Sequence, residues 1–241
     1  MTETGPIRLS KLMAQRGLCS RREADRYIEQ GLVLVDGKVI DKLGSRVLPE
    51  QQIELKAAAQ RAQASRHTLL LNKPVGYVSN LPEKGYPAAS ELILPQNHVG
   101  AGDAKPSLRG LAPAGRLDID SQGLLVLTQD GRIARKLIGA DSNIEKEYLI
   151  WVRGDISEDK LERLREGLML DGKRLKRAGI RKIDDHHIQF ILTEGRKRQI
   201  RRMCDQVDLR VTRLMRVRIG KVKLENLPVG KWRHLKPGEH F

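Results

Sequence analysis

The chain has 241 residues, a length that suits one large domain or a small domain joined to a larger one, and we expect two domains. Lysine and arginine number 45 against 30 acidic residues, so the formal net charge is +15. This excess favours a nucleic acid as the partner over the alternative that the basic residues only keep the protein soluble. An anionic membrane is a poorer partner, because the sequence lacks both a basic amphipathic helix with large apolar residues and a membrane-spanning segment.

The N-terminal residues predict two short helices. Apolar residues at helical spacing between residues 8 and 30 are interrupted at Gly17 and resume after Ser20. Ser20 and Glu23 have the pattern of a capping box, and Gly31 is placed to end the second helix.

A three-stranded unit and a linker are predicted next. The strands are expected at residues 32–35, 38–40 and 53–55, with Asp36-Gly37 as a hairpin turn. Residues 57–65 contain no apolar side chain larger than alanine, which predicts a linker. We place the boundary near residue 62, so that residues 1–62 form a small module with its linker and residues 63–241 form the larger domain.

The larger domain is predicted to be α+β. Strands are expected at residues 69–71, 124–128, 148–152, 188–192 and 217–224, and helices at 132–138, 157–168 and 198–207. Residues 94–111 are rich in proline and glycine and predict a mobile, exposed loop. Strands and helices mixed without regular βαβ alternation favour a largely antiparallel or mixed sheet with flanking helices.

Cysteine usage and the N-terminus limit the class of protein further. Cys19 and Cys204 are far apart and stand at no metal-ligand spacing with the six histidines, so we expect neither a disulfide framework nor a metal site. The first residues lack the basic and apolar regions of a secretory signal, so we expect a cytoplasmic protein. We also expect a monomer.

Two basic clusters suit phosphate. Residues 195–223 contain eleven basic residues against two acidic ones, and Arg198, Arg201 and Arg202 would share one helix face. A smaller cluster includes Lys11, Arg21 and Arg22. The alternative for both clusters is a solvated charged surface.

One carboxylate stands out. Asp118, in Gly115-Arg116-Leu117-Asp118, follows the flexible loop and precedes the strand at 124–128. A carboxylate there can serve as a nucleophile or a base, and equally as a turn residue paired with Arg116. Spacing alone leaves these alternatives open.

Two family resemblances bear on these alternatives. Residues 8–12, 19–25 and 35–38 resemble the S4 RNA-binding domain, over about residues 8–55. The segment 115–125, GRLDIDSQGLL, resembles the active-site segment of the RsuA/RluB/RluE/RluF family of pseudouridine synthases. Matching blocks follow the family's order at residues 72–76, 145–148, 195–203 and 227–233, so the resemblance spans nearly the whole chain.

The resemblance implies specific roles. Asp118, and not Asp120, would be the catalytic aspartate, Tyr148 would pack on the target base, and Arg201 would pair with the catalytic carboxylate. The reaction needs no cofactor. A uracil must leave its stack to react, and an aromatic ring can replace part of the lost stacking. The alternatives are that Tyr148 belongs to the core and that Arg201 contacts phosphate.

The remaining RNA contacts are less specific. Arg116 would hold the flipped nucleotide or structure its own loop, and Lys73, in Lys73-Pro74-Val75-Gly76, would shape the pocket rim or end a strand. Arg198 and Arg202 would contact substrate phosphates. The blocks are most similar to the RluF branch, which implies 23S rRNA near the peptidyl transferase centre; 16S rRNA and transfer RNA are the alternative targets. A non-catalytic RNA-binding or ribosome-assembly factor is the competing class.

Overall fold

The N-terminal module is a pair of helices packed on small sheets. The structure is a computed structural model that describes residues 5–82 and 85–241. The module's elements are β1 (Ile7–Arg8), α1 (Leu9–Gln15), α2 (Arg21–Glu29), β2 (Val33–Val35), β3 (Lys38–Ile40), β4 (Arg46–Val47) and β5 (Ile53–Leu55). Strand β1 pairs with β4, and the other three strands form an antiparallel sheet in the order β3-β2-β5.

Local sequence signals account for this module. The Ser20 hydroxyl accepts from the backbone N–H of Glu23 at 3.3 Å, and the Glu23 carboxylate accepts from the Ser20 N–H at 2.8 Å, so the predicted capping box is confirmed. Gly31, with φ +63°, follows the last turn of α2 as predicted. Asp36 and Gly37 both have positive φ, which gives the predicted hairpin turn.

The segment predicted to be a linker is helical. Residues Ala57–Ala64 form helix α3, which runs through the boundary that the sequence suggested. Alanine has the highest intrinsic helix propensity, so a segment too small to bury much surface still forms a helix. This helix is held to the module by the buried Ala59 and by the Gln63 amide, which donates to the carbonyl of Leu18 at 2.8 Å.

The larger domain is built on a nine-stranded sheet. The strands of this domain, nine in that sheet and two in a separate hairpin, are β6 (Thr68–Lys73), β7 (Ala112–Pro113), β8 (Gln122–Thr128), β9 (Lys146–Arg153), β10 (Met169–Leu170), β11 (Lys173–Arg174), β12 (Gly179–Lys182), β13 (His187–Leu192), β14 (Arg210–Ile219), β15 (Val222–Lys223) and β16 (Trp232–His234). Its helices are α4 (Gly131–Ile138), α5 (Glu158–Glu166) and α6 (Gln199–Asp205), with short 3-10 helices at Ala89–Leu92 and Pro95–Asn97.

The sheet is mixed, which confirms the predicted α+β class. The strand order is β12-β13-β9-β14-β8-β6-β16, with β15 beside β14 and β7 beside β8; the separate β10-β11 hairpin lies outside it. The β8–β14 pair is parallel, and the other pairs in this sheet are antiparallel. Strands β6 and β8 are buried along almost their whole length, as expected for the middle of a sheet covered on both faces.

One strand was misplaced by the sequence analysis. The predicted strand at 217–224 is in fact the end of the ten-residue β14, a turn at Gly220, and the short β15. Arginines at positions 210, 213, 216 and 218 interrupt the apolar pattern of β14, although Val211, Leu214 and Ile219 are buried.

The two domains meet where α2 faces the start of α4. A β-carbon added at Gly131 would overlap the side chain of Ser20, so the chains approach closely there. Arg66 connects the two sides: its guanidinium lies 2.5 Å from the Glu23 carboxylate, 2.6 Å from the Tyr27 hydroxyl and 3.8 Å from the Asp130 carboxylate. No helix within the described ranges is long and apolar enough to cross a membrane.

Candidate active site

A cleft of about 590 Å³ opens where β9 and β14 approach the loop before β8, the loop after α4 and the start of α6. Its walls include the three residues that the sequence analysis selected as catalytic, Asp118, Tyr148 and Arg201. Arg116 and Arg198, two of the predicted RNA contacts, also line it. Residues distant in sequence therefore meet in one place.

Asp118 lies on a loop that backbone hydrogen bonds hold firmly. The Ser121 N–H donates to the Asp118 carbonyl at 3.0 Å, and the Gly76 N–H donates to the Ile119 carbonyl at 2.9 Å. The Ser79 hydroxyl bonds both the N–H and the carbonyl of Leu117, at 2.8 and 2.7 Å. The carboxylate itself is half-buried and has no ion pair within 4 Å among the described residues. It is therefore positioned and available.

The neighbouring Asp120 carries the ion pairs of this site. Arg198 makes two hydrogen bonds to its carboxylate, at 3.1 and 2.9 Å, and Arg201 Nε lies 3.3 Å from the same group. Burial acts to raise the pKa of Asp120, but the contacts with both arginines outweigh it and hold that pKa below its usual value. The pairing of Arg201 with Asp118 that the resemblance implied is thus corrected: the partner is Asp120.

Arg201 is a buried connector as well as a cation. Its guanidinium donates to the carbonyl of Asp120 at 2.8 Å and to the carbonyl of Val211 at 3.1 Å. These bonds tie α6 to the Asp118 loop and to β14. Because Arg201 is only 9% exposed, its side chain is poorly placed to contact an RNA phosphate. Its geometry suits holding the loop in place.

Tyr148 forms one wall of the cleft and is half-buried against the core. The guanidinium carbon of Arg216 lies 6.0 Å from its ring centroid. Arg216 is itself buried and donates to the carbonyl of Leu124 at 2.8 Å and to that of Arg116 at 3.2 Å. The same arginine therefore lies beside the ring and bonds the loop that carries Asp118.

A family model for RNA pseudouridylate synthase matches residues 67–206, which is more than half of the chain. The chain belongs to the RNA pseudouridylate synthase family. A model for the S4 domain matches residues 7–53 of this synthase. Both assignments made from sequence motifs are confirmed.

Individual relatives agree with this assignment. The synthase is 35% identical to the dual-specificity RNA pseudouridine synthase RluF of Escherichia coli K12, over 99% of this chain and 79% of the relative. It is 34% identical to ribosomal large subunit pseudouridine synthase B of Yersinia pestis, over 95% of this chain and 72% of the relative. A crystal structure of a pseudouridylate synthase superimposes with a TM-score of 0.66 at 27% identity, covering 96% of this chain and 97% of that one.

Lys73 does not line the cleft of this synthase. It ends β6, is fully buried, and donates from Nζ to the carbonyls of Pro74 and Tyr77, each at 2.8 Å. Burial lowers the pKa of Lys73 to about 8, although the negative charge of Asp118 opposes that shift. The RNA contact predicted for Lys73 is therefore corrected: the side chain stabilises the turn that adjoins the Asp118 loop.

The other predicted RNA contacts divide into two groups. Arg202 is half-buried and paired with Asp171 at 2.6 Å, outside the cleft lining. Arg21 and Arg22 are exposed on α2, and Lys11 is half-buried on α1. A second groove of about 400 Å³ runs between α1 and α4 and shares the loop 139–142 with the cleft, so the S4 module and the cleft are connected along the surface.

Several site residues escaped the sequence analysis. Arg216 and Lys146 line the cleft, and burial lowers the pKa of Lys146. Gly123, with φ +112°, lies so close to the backbone of Arg216 that a β-carbon would overlap it, and this close approach is what allows β8 to pair with β14 beside the Asp118 loop. The signals in the sequence were a glycine inside a strand and the repeated arginines of β14.

The thiols are not part of the site. Cys19 and Cys204 are buried, free, and have pKa values raised by that burial to about 12. Within residues 5–82 and 85–241, no group of three or more histidine, cysteine, aspartate or glutamate side chains is placed to hold a metal ion.

Proposed function

We propose that this protein converts uridine to pseudouridine in ribosomal RNA, with Asp118 as the catalytic residue and 23S rRNA near the peptidyl transferase centre as the target. The observation that carries the proposal is the arrangement around Asp118. Its half-buried carboxylate is held by a hydrogen-bonded loop, makes no ion pair with any residue that the structure describes, and shares a cleft with Tyr148. The names of the relatives, which include a ribosomal large subunit synthase, support rRNA as the substrate.

The isomerisation of uridine to pseudouridine requires a carboxylate and no redox cofactor. The N1–C1′ bond of uridine breaks, the base rotates, and C5 bonds to C1′; C5 then loses its proton and N1 gains one. No net oxidation occurs, so no redox cofactor is required. An unpaired carboxylate can attack C1′ or C6, or accept a ribose proton, and Asp118 is suited to each of these.

The cleft also suits a base that has left its stack. The ring of Tyr148 can contact the flipped uracil, and an aromatic contact of this kind contributes about 1–3 kcal/mol. Arg116 and Arg198 at the rim can contact the flanking phosphates. Arg198 and Arg201 pair with Asp120 and not with Asp118, which supports different roles for these two carboxylates.

Mapping pseudouridines in total rRNA from cells with and without the gene tests this proposal. We expect one or a few 23S positions to lose the modification without the gene, and the loss to persist when the gene is restored as Asp118→Asn. A position lost from 16S rRNA or from a transfer RNA would contradict the target. Identical pseudouridine maps with and without the gene would contradict the proposed activity, because cytoplasmic rRNA is the proposed substrate.

A further inference from the structure

The outer half of the sheet has one covered face and one open face. On the covered face, residues such as Ile150, Val152 and Phe190 are buried, and α5 and α6 pack against this half of the sheet. The intervening positions on the other side include Leu149, Trp151, Gln189 and Ile191, and none of these is buried. The active-site cleft is on the side of Tyr148, which makes the open face the opposite side of the sheet.

Three exposed arginines lie on neighbouring strands of this open face. Arg153 on β9 stands directly across from Arg210 on β14, and Arg213 stands across from Trp151. Like charges in directly opposite positions destabilise a sheet. All three arginines are exposed, and none has a carboxylate within 4 Å in the part of the chain that the structure describes. We call Arg153, Arg210 and Arg213, with Trp151, the back-face cluster.

Other arginines of α6, its N-terminal end and β14 are different. These make ion pairs with carboxylates of the same chain, as follows: Arg198 and Arg201 with Asp120, Arg202 with Asp171, and Arg218 with Glu145 and Glu147. A guanidinium group that is already paired has fewer N–H groups left for an outside anion. On strands β9 and β14, the exposed guanidinium groups that lack such a pair among the described residues are those of the back-face cluster.

Trp151 fixes the direction of one of these groups. The guanidinium carbon of Arg213 lies 4.5 Å from the ring centroid of Trp151, and the His187 ring packs edge-to-face with the same indole, with the ring centroids 4.9 Å apart. Arg213 also donates to the side-chain carbonyl of Gln122 at 3.3 Å. A cation held over an indole ring keeps its N–H groups oriented while remaining exposed.

We propose that the back-face cluster is a second RNA-binding surface, which holds the phosphodiester backbone of a substrate segment that has passed around the sheet. Trp151 is a positioning residue for Arg213. This inference rests on the proposed function, because it takes RNA as the polyanion that matches the cluster. A short hairpin in the cleft does not reach the opposite side of the sheet, so the surface acts only on long substrates.

Charge-matched variants test the proposal. Arg153→Gln with Arg210→Gln removes two charges from the cluster, and Lys160→Gln with Arg163→Gln removes two from α5, on the covered side. Binding of each protein is measured against salt, with a transcript of a complete rRNA domain and with a short hairpin that carries the target uridine. Thermal melting establishes that both variants are folded.

We expect the back-face variant to bind the long transcript about tenfold more weakly near physiological salt, with a slope of log K against log salt smaller by about 1.4. Its turnover of the hairpin and the binding of the α5 variant should match wild type. Equal long-transcript affinities for wild type and the back-face variant would overturn the proposal and favour an acidic protein as the partner. Equal losses in both variants would also overturn it.

A second pair of variants tests the role of Trp151. Trp151→Phe keeps a ring beneath Arg213 and should bind the long transcript like wild type, whereas Trp151→Leu should bind as weakly as Arg213→Gln. Leucine and phenylalanine variants of equal affinity would overturn the positioning role. If wild type isomerises no RNA at all, the proposed function fails; if it does so and the cluster variants behave as wild type, only the second surface fails.

Discussion

The buried Lys73 predicts an unusual dependence of stability on pH. Its native pKa is about 8, against an ordinary value of 10.5, because burial disfavours the charged form. The unfolded chain therefore binds this proton more tightly than the native protein between those values. Each pKa unit corresponds to about 1.4 kcal/mol, so the free energy of unfolding should gain about 3 kcal/mol from this residue as pH rises from 8 to 10.5.

Replacing Lys73 with methionine isolates this contribution. Lys73→Met removes the buried charge, and this removal stabilises the native protein near pH 7. The substitution also removes the two hydrogen bonds to the carbonyls of Pro74 and Tyr77, and each loss destabilises the protein by about 1–3 kcal/mol. At pH 7 these effects should largely cancel. At pH 10.5 the wild type should be more stable than the variant by about 3 kcal/mol beyond the difference at pH 7.

Urea denaturation of both proteins at intervals between pH 7 and 10.5 measures this difference. Other lysines and tyrosines titrate in both proteins and cancel. Lys73→Arg serves as a control, because arginine cannot lose its proton and should stay destabilised throughout. If wild type and Lys73→Met differ by a constant amount across the whole interval, the burial of a charged Lys73 is refuted.

Two further predictions concern the cleft and the domain contact. Tyr148→Phe should keep turnover of a hairpin substrate within a few fold and Tyr148→Leu should lower it by about tenfold or more, because the ring face is what contacts the base; equal activities would contradict that contact. Arg66→Met should cost roughly 3 kcal/mol in thermal or urea unfolding, because it leaves the buried Glu23 carboxylate unpaired, and a variant as stable as wild type would show that this ion pair contributes nothing.

Local patterns predicted much of the fold. The Ser20 capping box, the Asp36-Gly37 turn and the apolar run of β8 depend on neighbouring residues alone, and all three are confirmed. Helix α3 was missed because alanine burial was weighed and alanine helix propensity was not. Strand β14 was misplaced because its arginines hide the alternation of its buried residues.

The site was harder to predict because its contacts join distant segments. Motif order pointed to Asp118, Tyr148 and Arg201, and the structure brings these residues to one cleft. Whether Arg201 pairs with Asp118 or Asp120 depends on how α6 packs against the loop that carries both, and no local sequence pattern predicts that packing. Likewise, Lys73 is charged and next to a turn, a combination usually found at the surface, and its burial follows only from the pairing of β6 inside the sheet.

The catalytic assignment of Asp118 is tested most directly by comparing Asp118→Asn with Asp120→Asn. Pseudouridine formation in the rRNA substrate is measured for both, together with RNA affinity. Asp118→Asn should lose activity by on the order of a thousandfold or more with affinity within a few fold of wild type, while Asp120→Asn should keep measurable turnover. Retained activity in Asp118→Asn, or its loss in Asp120→Asn alone, would contradict the role given to Asp118.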